Sequence, residues 1–422
     1  MKAGDLLTYD FRQSSVPPPG RGDKLVKEIR CVQWNIERGY KLDKVIENLK
    51  DQDADIMCLQ ELDINCERSS KRNCAQELAQ ALKLKCVFFV EFEELHSPMR
   101  SLALQGGGVH GNAILSRFDF KAQILPHSHH PVDWNIDGER FNEPRRGARA
   151  ILAADIQIPG LVSPIRCYSL HFEVFCGLVG RLRQFADVLD QVWKTCEKQP
   201  YQLVFGDLNT MAHGIARFSR HYCRDSMRWK SIGYSEASWW IKNVLSVTQY
   251  GDANPRLLNF VSSSTSMMLS ENDAQRLVNP YLFDPFDPLF DMTLHSHRGW
   301  YQGKLDWTLL RGFEVLDAFM DNEDYSASDH KLLGVVVKPI LEKEEQDDVG
   351  RVAYDILYMR DRVANRSILW FIVISGILLF AIQQLFVDDK SQPNDIYIHS
   401  HRSIYNNNTR KIDRSNNDNR ER

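Results

Sequence analysis

The sequence predicts an α/β (α+β) protein: two β-sheets packed face to face with helices outside, followed by one membrane-spanning helix. Three observations predict it. Short apolar runs alternate with amphipathic helical patterns through most of the first 340 residues. Several runs follow one another with no helix between them, which points to two packed sheets. Residues 368–387, ILWFIVISGILLFAIQQLFV, carry no charge over a length that suits a bilayer core of about 30 Å.

In chain order, residues 1–27, with SVPPPGRGD, read as an irregular lead-in. IRCVQW is the first strand. Leu42, Val45, Ile46 and Leu49 stand at helical spacing, and ADIMCLQ follows as a strand. Leu78, Ala79 and Leu82 mark a second helix, KCVFFVEF a strand, and GNAILS, RAILAADIQI and IRCYSL are strands close together. Leu178, Leu182, Phe185, Leu189, Val192 and Trp193 line one helix face, and QLVF closes that unit. After a long turn-rich stretch, KLDWTLLRG, EVLDAFM and KLLGVVV complete the strands. The domain therefore spans 28–340. A charged and amphipathic linker, 341–367, begins at EKEEQDD and continues with Val349, Val352, Ala353, Ile356, Leu357 and Val363. It either lies in the headgroup layer or packs on the domain. The apolar span is 368–387, and 388–422 reads as a disordered polar tail with the sequon Asn407-Asn408-Thr409.

Composition narrows the function. With 43% hydrophobic and 26% charged residues the chain is a folded globular protein, and a net charge of −4 leaves no global basic field for nucleic acid. The nine cysteines are odd in number, scattered, and lack CxxC spacing; Cys31, Cys58, Cys86 and Cys167 sit in apolar runs. They read as reduced core residues and not as a disulfide framework or zinc site. MKAGDLLTYDFRQSS has no apolar h-region, so no secretory signal is expected. Arg351, Arg360, Arg362 and Arg366 precede the span, against Lys390 and Arg402 after it. The positive-inside rule then puts the amino-terminal domain in the cytosol and the short tail across the membrane, in the endoplasmic reticulum or another endomembrane.

The stretch VFGDLNT, residues 204–210, carries the first chemical signal: a strand ends, Gly206 turns the chain, and Asp207 and Asn209 follow. Other apolar runs end likewise on Asn35, Glu61 and His171; Asp306 lies in LDW, and Asp329 with His330 precedes the last run. Singly, each has an ordinary explanation: a turn bonded to its own backbone, a solvated acid, a helix cap. Together, polar groups at successive strand ends converge on one pocket. They suit hydrolysis of a phosphate ester. Glu61 and Asn35 offer the hard oxygens that Mg²⁺, or Mn²⁺ in its place, demands. Asn209, His171 and His330 supply hydrogen bonds to developing phosphoryl charge, Asp207 orients or deprotonates a water, and Asp306 holds the imidazole of His330.

The series Asn35, Glu61, GNAILS from Gly111, the Arg149 strand, His171, Asp207 with Asn209, Asp306, and Asp329 with His330 resembles the endonuclease/exonuclease/phosphatase superfamily, over about residues 28–340. The resemblance implies a DNase I-like, four-layer α-β-β-α sandwich and Mg²⁺-dependent hydrolysis of phosphodiesters or phosphomonoesters. It implies Glu61 as main metal ligand with Asn35 beside it. Asp207 and Asn209 would position nucleophile and phosphate, and His330 paired with Asp306 would bind or protonate the phosphate. Asp329 would be a metal-side or water-orienting carboxylate, His171 a phosphate contact, and Asn112 and Arg149 substrate contacts.

The apolar span favours a phospholipid headgroup as substrate, because a tethered domain meets lipid at high effective concentration. That makes a sphingomyelinase-like phosphodiesterase the first expectation, with the bilayer as partner. A nuclease or inositol-phosphate phosphatase of the same superfamily is the alternative, and a non-catalytic, membrane-anchored phosphate-binding module is the alternative of another class. The aromatics of RWKSIGYSEASWW and NPYLFDPFDPLFD form either a substrate rim or ordinary core. Arg140, Arg145, Arg146 and Arg149 form a basic cluster beside the expected pocket, or a solvated loop. QGGGVHG, 105–111, reads as a mobile loop that could cover it.

Overall fold

The computed structural model describes residues 1–13, 28–248, 252–262, 268–296 and 301–340. All belong to one compact unit, residues 1–365. The linker, the apolar span 368–387 and the tail lie outside the described residues. Among the described residues no helix is long and apolar enough to cross a membrane.

The strands in chain order are β1 (Leu6–Asp10), β2 (Ile29–Asn35), β3 (Ile56–Ile64), β4 (Lys85–Glu94), β5 (Val109–Ser116), β6 (Phe120–Pro126), β7 (Arg145–Gly147), β8 (Ala150–Ile156), β9 (Ile165–His171), β10 (Gln202–Asp207), β11 (Leu294–Ser296), β12 (Tyr301–Gly303), β13 (Asp306–Arg311), β14 (Phe313–Asp321) and β15 (Leu332–Pro339). The first sheet runs β1-β4-β5-β3-β2-β15-β14, with β7 on β4; the second runs β13-β10-β9-β8-β6. The principal helices are α1 (Leu42–Gln52), α2 (Cys74–Leu82), α3 (Trp134–Asp137) and α4 (Leu178–Thr195).

Alternation along the first sheet explains the layering. Ile29 and Cys31 of β2, Ile56 and Cys58 of β3, Val87 and Phe89 of β4, and Ile114 of β5 pack toward the second sheet. Val32, Trp34, Met57, Leu59, Phe88 and Leu115 face the other way, onto Val45 and Leu49 of α1 and Leu78 of α2. Because both faces are apolar, these strands read as continuous hydrophobic runs. α4 buries Leu178, Leu182, Phe185 and Leu189 in the core it shares with the second sheet. The result is a mixed α/β sandwich of the expected DNase I-like kind.

Three expectations change. The lead-in is not wholly irregular: Leu6–Asp10 pairs with β4, an edge strand whose half-exposed pattern gives no apolar signal. The run 105–111 is packed and is no lid. A Cβ at Gly108 would sit 2.1 Å from the Ile64 carbonyl, and one at Gly111 1.8 Å from that of Phe89, so backbone meets backbone there. The aromatics divide: Trp239, Trp240, Phe283 and Phe286 are core, whereas Trp229 and Phe290 are exposed. All nine cysteines are free and buried.

Candidate active site

Sheet register assembles the site. Asp207 at the end of β10 lies opposite His171 in the parallel pairing with β9, and opposite Asp306 in the antiparallel pairing with β13. Gly206 precedes it because a Cβ there would meet the Leu170 carbonyl at 2.1 Å. On the facing sheet Asn35 ends β2, opposite Gln60 of β3. The β3–β5 register slips between Leu59 and Leu62, and Glu61 takes φ +58°, so a bulge aims its carboxylate at the mouth. Asp329 and His330 precede β15, and their turn is fastened to β2: Ser328 Oγ donates to Asn35 O (2.7 Å) and Trp34 Nε1 to His330 O (2.9 Å).

Asp207 Oδ2 is the hub. Asn35 Nδ2 donates to it at 3.1 Å and to Glu61 Oε1 at 3.2 Å. His330 Nε2 stands 3.8 Å and His171 Nε2 3.7 Å from the same oxygen, and His171 Nε2 is 3.9 Å from Glu61 Oε1. Asp329 Oδ1 lies 3.9 Å from His330 Nε2. Asn209, at φ +49°, donates its backbone N–H to Asp207 Oδ1 (2.8 Å) and its amide to Phe172 O (2.9 Å). Glu61 and His330, carried by β3 and the turn before β15 of the first sheet, thus share one mouth with Asp207 and His171 of the second.

The charges are pulled apart by environment. Burial, then the Asp306 carboxylate, push Asp207 up to about 7 in spite of His330, the Asn209 N–H and Asn35. Burial opposes charging His330, yet Asp306, Asp329 and Asp207 outweigh it and hold this imidazole well above its ordinary value. Burial and then the Arg149 guanidinium hold His171 well below its ordinary value, so it is neutral. Burial raises Glu61, but Arg38, His110, His330 and Arg149 outweigh it and bring the carboxylate below its usual value.

Two expected site residues take partners within the protein. Arg149 is engaged by Glu91 and His171. It is buried, and its Nη1 donates to Glu91 Oε2 (2.7 Å) and to His171 Nδ1 (2.9 Å). Since guanidinium only donates, the His171 proton sits on Nε2, facing Glu61 and Asp207. Asn35, expected as a metal ligand, turns its amide nitrogen between two carboxylates, which only a donor can bridge, and its oxygen accepts the Glu37 N–H at 3.1 Å. Asn112 is fully buried on β5, and neither end of its amide is hydrogen bonded to the protein, which leaves both for a substrate or water. The basic cluster disperses: Arg145 is buried on Glu94 and Glu143, Arg140 pairs with Asp137, and Arg146 is exposed.

Sequence reasoning missed Glu37, Arg38 and Gln33. Glu37 and Arg38 follow Asn35 with φ of +49° and +59°, and Arg38 reaches Glu61 (3.8 Å) and Glu143 (2.6 Å). Gln33 Nε2 bridges Gln60 and Asp306 between the sheets, at 2.8 and 2.9 Å. Their proximity to Asn35 in the chain was the available signal.

The donor set fits a hard divalent cation. Burial and then the Asp329 and Glu61 carboxylates push Glu37 up to about 8, so Glu37, Glu61, Asp207 and Asp329 crowd negative charge that a cation would relieve. Asp207, Asp306 and His330 also bring one ligand atom each within 4.8 Å of one another. However, Asp306 has both oxygens engaged, by His330 Nδ1 (2.7 Å) and Gln33, so it orients the imidazole.

A two-sheet α/β sandwich with carboxylates, amides and imidazoles gathered at strand ends defines a phosphoric ester hydrolase. Residues 32–330 match the Endonuclease/Exonuclease/phosphatase family, and the chain belongs to that family. Its members are phosphodiesterases and phosphatases and generally depend on a divalent metal. Solved structures similar to the chain include ANGEL2, described as a 2′,3′-cyclic phosphatase in complex with adenosine-2′,3′-vanadate, at 13% identity and TM-score 0.45, covering 75% of this chain and 98% of that one. Truncated Caenorhabditis elegans TDP2 is similar at 16% identity and TM-score 0.42, covering 74% and 98%. The human Nocturnin catalytic domain with bound sulfate is similar at 15% and 0.39, covering 76% and 100%. No curated protein matches the chain in sequence.

Proposed function

We propose that the chain is a Mg²⁺-dependent phosphodiesterase that cuts the headgroup bond of a membrane phospholipid, in the manner of a sphingomyelinase. The observation that carries the reaction class is the convergence on Asp207 Oδ2 of groups from both sheets, Asn35 from one, His171 from the other and His330 from the turn before β15.

When bound, Mg²⁺ supplies positive charge to the phosphoryl oxygens and the attacking water. Glu61 and Asp329 are the carboxylates that would hold it, and Asn35 fixes the spacing between Glu61 and Asp207. Asp207 Oδ2 takes the proton of the water, a role that its raised affinity for protons suits near neutral pH. His330 donates from Nε2 to a phosphoryl oxygen while Asp306 holds Nδ1. His171, neutral and oriented by Arg149, donates from Nε2, and the open amide of Asn112 offers a further contact.

The lipid half of the reading is supported by the sequence. An uncharged span at 368–387, joined by a linker that begins at 341, would anchor a cytosolic domain to an endomembrane, with the tail on the other side. The test offers the full chain, in detergent micelles, sphingomyelin and lysophospholipids in parallel with single- and double-stranded DNA, poly(A) and inositol phosphates. Headgroup release that requires Mg²⁺ and is lost in Glu61→Ala and His330→Ala is expected. Strong nuclease activity without lipid turnover overturns the lipid substrate, and variants as active as the wild type overturn the enzyme.

A further inference from the structure

Large apolar side chains are exposed singly over much of the surface, as at Met99, Ile136 and Val162. The excursion that follows Asn209 is different. Within 214–232, Ile215 is 37% exposed, Phe218 52%, Trp229 44% and Ile232 51%, and the Phe218 and Trp229 rings meet with centroids 5.8 Å apart. The display is built deliberately into the fold. Arg217 is buried, and its Nη2 donates to Ala212 O and Tyr234 O at 2.6 Å each, while Nη1 donates to Ser231 Oγ at 2.6 Å and to Arg228 O. These bonds pin the segment bearing Ile215 and Phe218 to the one bearing Trp229 and Ile232. A patch of this kind, held out in water by a buried guanidinium, marks a surface that something else covers.

The charges identify what covers it. Between Met211 and Ser235 stand Arg217, Arg220, Arg224, Arg228 and Lys230, against a single acid, Asp225. The Asp225 carboxylate is turned inward, accepting the N–H groups of Val179 and Met227 at 3.0 Å each. Arg220 and Lys230 are exposed, and Arg228 lies over the Trp229 ring at 4.6 Å. The chain as a whole carries −4, so this basic character is local. Aromatic and aliphatic tips among long basic side chains are the composition of a surface that sits in a headgroup layer, apolar tips inward and cations at the lipid phosphates. A nucleic-acid platform would need ring faces and would gain nothing from Ile215 and Ile232.

We infer that 214–232 is a docking patch that seats the domain on an anionic lipid bilayer. Ile215, Phe218, Trp229 and Ile232 enter the headgroup layer, and Arg220, Arg224, Arg228 and Lys230 meet lipid phosphates. The excursion begins directly after Asn209. The inference rests on the membrane reading above, and its test separates the two.

The full chain is reconstituted into phosphatidylcholine vesicles with and without phosphatidylserine, and amide hydrogen exchange is followed by mass spectrometry. Exchange in peptides covering 214–232 is expected to slow by about tenfold with phosphatidylserine. Trp229→Ser with Ile232→Ser, both exposed positions, should abolish the slowing and leave the thermal midpoint unchanged. Equal exchange in both vesicle types overturns the proposal, as does slowing produced only by an added single-stranded oligonucleotide. Headgroup release is measured in the same vesicles with sphingomyelin and lysophospholipid added: protection at 214–232 without release removes the lipid substrate and leaves the docking patch standing.

Discussion

Nδ1 of His330 lies 2.7 Å from Oδ2 of Asp306, a buried pair that joins the first strand of one sheet edge to the turn entering the other sheet. Asp306 Oδ1 accepts from Gln33 Nε2 at 2.9 Å, so the carboxylate is fixed from both sides. A carboxylate accepts, so Nδ1 carries a proton, and Nε2 is the nitrogen left facing Asp207 Oδ2, 3.8 Å away.

Asp306→Asn is expected to lower turnover of bis-p-nitrophenyl phosphate by about 10²–10⁴-fold, with the loss in kcat. The amide can keep the packing, yet it no longer stabilises a charged imidazole. Wild-type kcat in a variant with an unchanged thermal midpoint would reduce the pair to a structural contact.

Much of this was legible because the site residues end apolar runs. Asn35, His171 and Asp207 each close a strand whose burial announces it, whereas Glu61 ends an apolar run but stands at a bulge inside β3, which continues to Ile64. Leu6–Asp10 and Phe120–Pro126 were not legible: both are edge strands with largely exposed or half-exposed side chains, so their sequences carry little hydrophobic period. The partners of Arg149 were not legible for a related reason. Arg149 stands at the head of the apolar run of β8, and its pairing with Glu91, on a distant stretch of chain, shows only once the sheets assemble. Burial of charge depends on partners that only the assembled sheets supply.

The glycines of 105–111 give a sharp test of packing against mobility. Gly111→Ala puts a Cβ 1.8 Å from the Phe89 carbonyl oxygen, in a strand buried between β3 and β4, and should destabilise by about 3 kcal/mol or more. Gly107→Ala meets nothing within 4 Å, and its φ of +90° makes the cost one of backbone conformation, about 1–2 kcal/mol. Urea midpoints of the two variants should rank in that order. Equal, small losses would mean that the segment moves freely.

His127 provides a pH signal away from the catalytic mouth. Its Nδ1 is 3.3 Å from Asp187 Oδ2, and Asp187 also accepts from Ser128 N (2.8 Å), Ser128 Oγ (2.7 Å) and Arg276. Burial holds the imidazole below its ordinary value despite the attraction of Asp187, and His130 adds to the lowering. The unfolded chain therefore takes up a proton near pH 6.5 that the folded one refuses. The stability His127 contributes is complete above that value and is lost as pH falls from it toward the folded pKa. Comparing urea midpoints at about pH 7.5 and about pH 5.5, His127→Gln should lose less than the wild type. An identical loss would show that the imidazole titrates normally.

Crowded carboxylates make a prediction that needs no substrate. In the cation-free protein Glu61 repels Glu37 and Asp329, and Glu37 is held up to about 8 by burial and those neighbours. Glu61→Gln relieves that repulsion and leaves Arg38, 3.8 Å away, with Glu143 as its carboxylate partner, at 2.6 Å. Yet the cations around Glu61 outweigh its burial and hold its carboxylate below the usual value, so its charge is net stabilising and without Mg²⁺ the variant should melt somewhat below the wild-type midpoint. With Mg²⁺ at a hundred times its Kd the wild type should gain about 2.7 kcal/mol, because a ligand that binds only the folded state stabilises it by mass action. The variant, lacking the carboxylate that would hold the ion, should gain far less, and NaCl at matched ionic strength should reproduce neither shift. Scanning calorimetry reads all four combinations. An equal Mg²⁺ shift in both proteins would place the cation away from Glu61, and with it the chemistry assigned to this mouth.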